Sequence, residues 1–133
     1  MCGRFTLRAN PAELMEIFEI LREPEFPVVP RYNIAPTQQV PVVRMTPDGQ
    51  REWASLRWGL IPHWAKDAKI GSSLINARGE TLAEKASFRE AFKKRRCLIP
   101  ADGFYEWQAI EGQKTRQPLF ITLRDGKPFA FAG

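Results

Sequence analysis

The sequence predicts an α+β domain made mainly of antiparallel β-sheet, with two or three flanking helices. Short apolar and aromatic segments recur with turn residues between them, which is typical of antiparallel strands. Only two stretches combine a helix start signal with apolar residues at helical spacing. A chain of 133 residues with a 44% hydrophobic share can bury its own core. We therefore expect a single domain over residues 1–133.

The first predicted helix begins after Asn10. Asn10 occupies the N-cap, Pro11 the first helical position and Glu13 the third. Apolar residues follow at helical spacing, namely Leu14, Ile17, Phe18 and Leu21. We expect this helix to end at Pro24, because proline cannot continue a helix.

The next segment is predicted to be irregular and is followed by a hairpin. Four prolines between residues 24 and 36 remove backbone donors, so residues 31–33 are placed on a loop. Residues 40–45 and the segment near 52–58 are rich in β-forming side chains. The turn residues 47–49 between them predict a β-hairpin.

The second half of the chain is predicted to hold a loop, a short helix and four strands. Residues 59–73 resemble a loop that presents Trp64, and a capping-box pattern at 87–90 starts the helix. The strands are expected at residues 97–100, 104–108, 119–123 and 128–132, the last one after a tight turn at 125–126.

Four consecutive basic residues, 93–96, fall in the last turn of that short helix. Cations at a helix C-terminus are stabilised by the helix dipole, so the run suits a solvated helix end. It also suits a phosphate clamp. The sequence leaves both readings open.

The charge balance favours a polyanionic partner. Twenty Lys and Arg against 15 Asp and Glu give a net charge of +5, and the pI is about 9.6. Nucleic acid is the leading candidate, although many basic domains bind none. Two cysteines and one histidine fall short of a structural zinc set, and no cofactor or metal is expected. The absence of a long apolar segment predicts a cytoplasmic protein with no membrane partner.

Cys2 has a chemistry that no internal cysteine shares. If Met1 is removed, residue 2 presents an α-amine and a thiol on adjacent carbons. An unprotonated α-amine attacks aldehydes to form an imine, and the thiol can then close a five-membered thiazolidine ring. Position alone also suits a small apolar residue that begins a first strand.

Five motifs, in this order along the chain, resemble the abasic-site-processing family, the SOS-response-associated peptidase-like (SRAP) domain. They are MCGRF at residues 1–5, RYNIAP at 31–36, RWGLIP at 57–62, INARGET at 75–81 and ADGFYEW at 101–107. The similarity extends over the whole chain. It implies the SRAP fold, an open barrel-like sheet, and a DNA damage response function in which Cys2 cross-links to abasic sites in single-stranded DNA.

The resemblance also implies roles for other residues. It assigns Asn76 and Glu106 to the catalytic pocket beside Cys2, with Glu106 as the general acid or base that opens the sugar. Arg4 and Arg78 suit the adjoining phosphates. Of the tryptophans, Trp64 and Trp107 are predicted to contact DNA bases, whereas Trp58 is expected to be packed. The resemblance implies a location in the bacterial cytoplasm, at the nucleoid during repair.

Members of the family continue beyond this length, into a segment whose histidine lines the active site. We therefore expect a chain that lacks the family's C-terminal part, and possible partners include a second polypeptide that supplies the missing strands. His63 is not assigned the missing role, since a loop histidine is usually a surface residue. The resemblance thus favours bond formation at Cys2 over lyase activity or release. Two alternatives stay open: a cysteine peptidase acting on its own N-terminus, and a non-catalytic fragment that binds single-stranded nucleic acid.

Overall fold

The computed structural model describes residues 2–133 as two four-stranded antiparallel sheets with two short α-helices. The predicted α+β class is confirmed. The elements, in chain order, are β1 (Arg4–Leu7), α1 (Pro11–Phe18), β2 (Arg31–Ile34), β3 (Gln39–Met45), β4 (Arg51–Arg57), α2 (Arg89–Lys94), β5 (Cys97–Ala101), β6 (Gly103–Ala109), β7 (Arg116–Ile121) and β8 (Phe129–Ala132). The first sheet has the strand order β2-β1-β6-β7 and the second β4-β3-β5-β8.

Helix α1 begins as predicted and ends earlier. The Asn10 side chain accepts a hydrogen bond of 2.9 Å from the Glu13 backbone N–H, which satisfies one donor of the first turn. The prediction that the helix reaches Pro24 is wrong. Glu19 adopts a left-handed conformation with φ 52° and ends the helix, so Leu21 lies outside it and is exposed.

The loop predicted for residues 31–33 is also wrong, because these residues begin β2. The prolines lie on either side of this strand, at positions 30 and 36, so every residue in it keeps its backbone donor. Strand β2 pairs with β1, and Ile34 stands opposite Phe5. Both side chains are buried, which gives the short pairing its apolar contact.

The predicted hairpin is confirmed as β3 and β4, which pair in continuous register from Gln39 opposite Arg57 to Met45 opposite Arg51. Gly49 supplies the positive φ that the connecting turn needs. The loop after β4 is less irregular than predicted, since Ala68–Ser72 forms a 3₁₀ turn.

Helix α2 begins one residue later than the capping pattern predicts. Phe88, rather than Ser87, occupies the N-cap, and no side chain caps the helix. Lys93 and Lys94 lie in the last turn as predicted, but the placement of the other two basic residues is wrong, since Arg95 is the C-cap and Arg96 lies outside the helix. None of the residues of α2 is buried, so the helix lies on the surface.

The chain passes between the two sheets three times, after β2, after β5 and after β7. Strand β5 ends at Ala101 in one sheet, and β6 begins at Gly103 in the other, with Asp102 between them. The turn at residues 125–126 connects β7 to β8, which pairs with β5 in the other sheet. This turn is therefore a crossing between sheets and not a hairpin.

An aromatic cluster lies between the two sheets. Its members pack edge to face at ring-centroid distances of 5.2 to 6.3 Å, a favoured geometry. They are Phe5, Trp58, Phe104, Phe129 and Phe131. Phe5 and Phe104 come from the first sheet, whereas Phe129 and Phe131 come from the second, so the cluster holds the sheets together.

The outer part of the first sheet is uncovered. All six residues of β7 are exposed, and over residues 2–133 its outer edge pairs with no strand. Strand β8 likewise ends the second sheet in the described part of the chain. Within that part, no helix is long and apolar enough to cross a membrane.

Candidate functional site

Cys2 lies two residues before the start of β1, half-buried against the core. Its thiol donates a hydrogen bond of 3.3 Å to the Arg4 carbonyl. Burial raises the pKa of the Cys2 thiol above its ordinary value, and the negative charge of Glu106 raises it further. Arg4 stands opposite Tyr105 in the antiparallel β1–β6 pair, so Glu106, the next residue of β6, lies beside the start of β1 and near Cys2.

Asn76 contacts Cys2 from a segment 74 residues away in sequence. Its side-chain amide Nδ2 donates a hydrogen bond of 2.7 Å to the Cys2 backbone carbonyl. The bond leaves the Asn76 carbonyl oxygen available to accept from another molecule. This contact joins two of the sequence-predicted site residues directly.

Trp58 fixes the loop that carries Asn76. Its indole Nε1 donates a hydrogen bond of 2.9 Å to the Ile75 carbonyl, the residue before Asn76. The ring also packs edge to face on Phe5, with centroids 5.3 Å apart. The expectation that Trp58 is packed is confirmed, and the packing serves to hold residue 76 beside β1.

The base of this loop is closed by two backbone contacts. The Leu60 N–H donates 3.0 Å to the Leu74 carbonyl. Gly59 has φ +125°, and a Cβ built on it would lie 2.3 Å from the Gly71 carbonyl oxygen. Only glycine allows this approach, so the loop depends on residue 59 for its shape.

Arg4 is held by β2. Its guanidinium Nη1 donates 3.1 Å to the Asn33 side-chain oxygen, and Arg4 pairs with Tyr105 across the β1–β6 ladder. The Tyr105 hydroxyl in turn donates 3.2 Å to the Tyr32 carbonyl. Strands β1, β2 and β6 therefore fix where the Arg4 side chain lies.

Asp102 joins the far end of β1 to the corner where β6 begins. Its carboxylate is nearly buried and accepts hydrogen bonds from the Thr6 hydroxyl, the Arg8 and Ala9 backbone N–H groups and the Arg8 side chain. Burial raises the pKa of Asp102, but these four hydrogen bonds outweigh burial and bring the pKa below its ordinary value. The network holds in register the two strands that present Cys2 and Glu106.

The structure brings together part of the predicted set. Cys2, Asn76 and Glu106 lie close to one another, and Arg4, two residues after Cys2, begins β1. The side chains of Arg78, Trp64 and Trp107 are exposed. Over residues 2–133 these three make no hydrogen bond or ion pair with that group. Their placement permits contact with a bound molecule.

Sequence reasoning missed two residues of this region, Asn33 and Asp102. Both lie inside motifs that the sequence analysis quoted, RYNIAP and ADGFYEW. A polar side chain inside such a motif was the available signal. Among residues 2–133, no group of three His, Cys, Asp or Glu side chains could hold a metal ion. His63 is exposed, away from Cys2 in the contacts described, and lines a pocket beside α2.

The sequence of the chain is similar to one family of proteins and to several of its members. The profile of the family described as SOS response associated peptidase (SRAP) matches residues 1–133. The abasic site processing protein YoqW of Bacillus subtilis is 48% identical over 134 residues. The match covers 100% of this chain and 59% of that relative. The abasic site processing protein HMCES of Pongo abelii is 41% identical over 103 residues, covering 69% of this chain and 29% of that protein.

Solved structures share the fold. A crystal structure from Bordetella bronchiseptica has a TM-score of 0.77 with 29% identity, over 98% of this chain and 62% of that one. A structure from Bacteroides thetaiotaomicron has a TM-score of 0.80 at 24% identity, over 98% of this chain and 58% of that one, a likeness of fold. The chain thus spans about 60% of the length of the proteins that it matches throughout.

Proposed function

The chain belongs to the SOS response associated peptidase (SRAP) family, and from this membership we propose that it processes abasic sites in DNA by bonding to them covalently through Cys2. The relatives named above are abasic site processing proteins. The observation that supports the proposal most is the 2.7 Å hydrogen bond between Asn76 and the Cys2 carbonyl, since it sets an amide side chain beside residue 2.

The proposed bond requires removal of Met1 and proceeds in two steps. The Cys2 amine attacks the aldehyde carbon of the ring-opened sugar, and loss of one water leaves an imine. The Cys2 sulfur then adds to the imine carbon, and the thiol proton passes to the nitrogen. The product is a thiazolidine whose mass equals protein plus DNA less one water. No oxidant or cofactor enters the balance.

Glu106 and Asn76 are assigned the catalytic tasks around that bond. An abasic sugar is mainly a closed hemiacetal, so ring opening needs a group that can move a proton. Glu106 suits this task because it is the carboxylate whose negative charge raises the pKa of the Cys2 thiol. The unused carbonyl oxygen of Asn76 can accept a hydrogen bond from a sugar hydroxyl. Both roles put the lesion beside Cys2, between Glu106 of β6 and the loop that carries Asn76.

The DNA contacts are assigned to residues around this point. Arg4, held by Asn33, and the exposed Arg78 suit phosphates on either side of the lesion. The rings of Trp64 and Trp107 are 49% and 43% exposed. Exposed aromatic faces stack on unpaired bases, which favours single-stranded DNA as the substrate.

Cross-linking tests the proposal directly. The wild-type chain is mixed with a single-stranded oligonucleotide carrying one abasic site, and products are read on a denaturing gel and by intact mass. We expect a shifted species at the sum of both masses less one water. Cys2→Ala should abolish it, while Cys97→Ser, which removes the other thiol, should not.

Asn76→Ala should slow the reaction by roughly 10- to 1000-fold, the usual range for loss of one polar group at a reacting centre. Absence of the adduct in wild-type protein whose Met1 has been removed contradicts the proposal. So does an adduct that persists in Cys2→Ala.

A second polypeptide is proposed as a partner at the uncovered edge. Strand β7 is exposed along its whole length, and its edge backbone groups are available for strand pairing. The part of YoqW that this chain does not cover is the natural candidate for that partner. Added as a separate peptide, it should bind this chain and raise the cross-linking rate. Binding without any dependence on β7 residues would contradict the assigned surface.

A further inference from the structure

We propose that a basic pocket beside α2 is a second DNA contact site, which binds phosphates of the strand that flanks the lesion held at Cys2. The basic pocket is lined by His63, Arg89, Glu90, Lys94 and Arg95 and has a volume of about 460 Å³. The inference rests on the proposed function, because it extends the DNA path beyond the Cys2 site.

The positive charge of the protein is concentrated in the segment that supplies most of this pocket, and three of its cations, Arg89, Lys94 and Arg95, line the pocket. Residues 89–96 contain five Lys and Arg against one Glu, a net charge of +4. The whole chain has +5, so the other 125 residues together carry only +1. A local excess of this size attracts a polyanion to one face of the molecule.

Two of the pocket cations have no partner within residues 2–133. Lys94 pairs with Glu90 at 3.8 Å, four residues apart on the helix. The side chains of Arg89 and Arg95 make no hydrogen bond or ion pair in the described part of the chain, and both are exposed. A guanidinium presents a planar fork that matches two phosphate oxygens.

Helix stability does not account for this arrangement. Lys93 and Lys94, in the last turn of α2, complement the helix dipole. Arg89 is the first residue of α2, where a positive charge opposes the dipole. Glu90, in the same turn, complements the dipole, so Arg89 itself adds nothing to the helix and fits a binding role better than a structural one.

The loop of residues 59–76 links the basic pocket to the Cys2 site. His63 lines the pocket, and Asn76 contacts Cys2. Trp64, which follows His63, is exposed and can stack on a base. In the proposed path, a strand that leaves the lesion along this loop meets the ring of Trp64 and then the two arginines.

The test compares two double variants with equal loss of charge. Arg89→Gln/Arg95→Gln alters the pocket, and Arg22→Gln/Arg124→Gln removes two exposed arginines elsewhere. Binding of an intact single-stranded oligonucleotide is measured by fluorescence anisotropy over a series of salt concentrations. Losing two phosphate contacts should reduce the slope of log K against log salt by about 1.4, at about 0.7 per contact on single strands. The control pair should leave the slope within about 0.3 of wild type.

A second arm uses the abasic oligonucleotide. With long flanks, the pocket variant should need a higher DNA concentration to reach half-maximal adduct formation, while its rate at saturation should match wild type. With only one nucleotide on each side of the lesion, the two proteins should not differ. Arg89→Lys/Arg95→Lys should restore the salt slope, because the charge returns.

Equal salt slopes for the two Gln variants would contradict the proposed site. So would a pocket variant whose cross-linking rate at saturating DNA falls equally on short and long oligonucleotides. Selective displacement of the oligonucleotide by inorganic phosphate, at matched ionic strength, would identify a small-anion site and overturn the DNA assignment. Failure of wild type to form an adduct would contradict the role of Cys2 alone, since the salt slope on intact DNA still reports on the pocket.

Discussion

Glu106 and Cys2 are coupled by charge, and the coupling has a measurable sign. Alkylation requires the thiolate, so its rate rises with pH through the pKa of the thiol. Burial and Glu106 both raise that pKa. Glu106→Gln removes the negative charge, so the alkylation profile of Cys2 should shift to lower pH.

The measurement is iodoacetamide labelling of Cys2 over a pH series, in a Cys97→Ser background that leaves a single thiol. Glu111→Gln serves as the control, because Glu111 is an exposed carboxylate in the turn after β6, and this change should leave the pH profile of Cys2 unchanged. Superimposable profiles for wild type and Glu106→Gln would contradict the coupling.

Asp102 makes the fold sensitive to acid. Because the folded-state pKa is lowered below the ordinary value of 3.8, the carboxylate stabilises the protein at neutral pH. This contribution is complete above the unfolded pKa and is lost as pH falls through the folded one. Asp102→Asn should cost about 2–3 kcal/mol at neutral pH, the size of a hydrogen bond to a charged group, and less in acid.

Urea unfolding at neutral and at acidic pH measures this difference. Asp125→Asn, in an exposed turn, should change the free energy of unfolding by less than about 0.5 kcal/mol at either pH. A cost for Asp102→Asn that does not shrink in acid would contradict the assignment of its charge.

Among the elements, the loop of residues 59–76 depends on one glycine. Gly59 has φ +125°, and a Cβ added there would lie 2.3 Å from the Gly71 carbonyl oxygen. Gly59→Ala should cost about 2–4 kcal/mol of stability, from strain and overpacking, and should slow cross-linking because Asn76 moves away from Cys2.

Gly49→Ala separates the two causes. Gly49 also has a positive φ, +80°, but a Cβ there meets nothing within 4 Å. We expect about 1 kcal/mol for the conformational cost and an unchanged cross-linking rate. Thermal unfolding and adduct kinetics measure both variants, and equal losses in the two would contradict the role of the Gly59–Gly71 contact.

Local sequence signals predicted the elements whose cause is local. The hairpin of β3 and β4 has its turn residues between its strands, and the N-cap of α1 lies three residues from the N–H that it binds. Strand β2 was predicted as a loop, and β1 was foreseen only as the alternative reading of Cys2, because each has four residues and gains its stability from pairing with distant segments. The end of α1 depends on the left-handed conformation of Glu19, and glutamate is not a residue type that predicts a helix end.

The candidate site divides in the same way. The ordered motifs predicted that Cys2, Asn76 and Glu106 lie together, and the structure places these residues close to one another. Their roles stay predictions. The hydrogen bonds by which Asn33 holds Arg4 and Asp102 holds Thr6 were not predicted, because partners 29 or 96 residues apart leave no local pattern in the sequence.

For the whole molecule, the uncovered edge predicts self-association. Leu119, Phe120 and Ile121 of β7 are 41%, 45% and 38% exposed. An exposed apolar edge strand is a template for pairing with another chain. The protein should therefore associate with rising concentration in sedimentation velocity, and Leu119→Lys should shift it toward the monomer because charge at an edge opposes pairing.

Leu21→Lys is the matched control, since Leu21 is exposed at a site outside both sheets. It should leave association unchanged. Wild-type protein that stays monomeric at the highest attainable concentration would contradict the prediction, as would equal effects of the two lysines.

The hydrogen bond from Asn76 reaches the backbone of residue 2, so the side chain keeps only a weak thiol hydrogen bond, to the Arg4 carbonyl. The first residues of a domain fray unless they are tied down, and ordering one residue costs about 1–2 kcal/mol of entropy. The hydrogen bond from Asn76 orders residue 2 before DNA binds, so this entropy is not lost during the reaction. The reacting amine and thiol then have a high effective concentration toward the sugar, as in an intramolecular reaction. Replacement of the Cys2 side chain leaves this tether in place, so it removes the chemistry and spares the geometry.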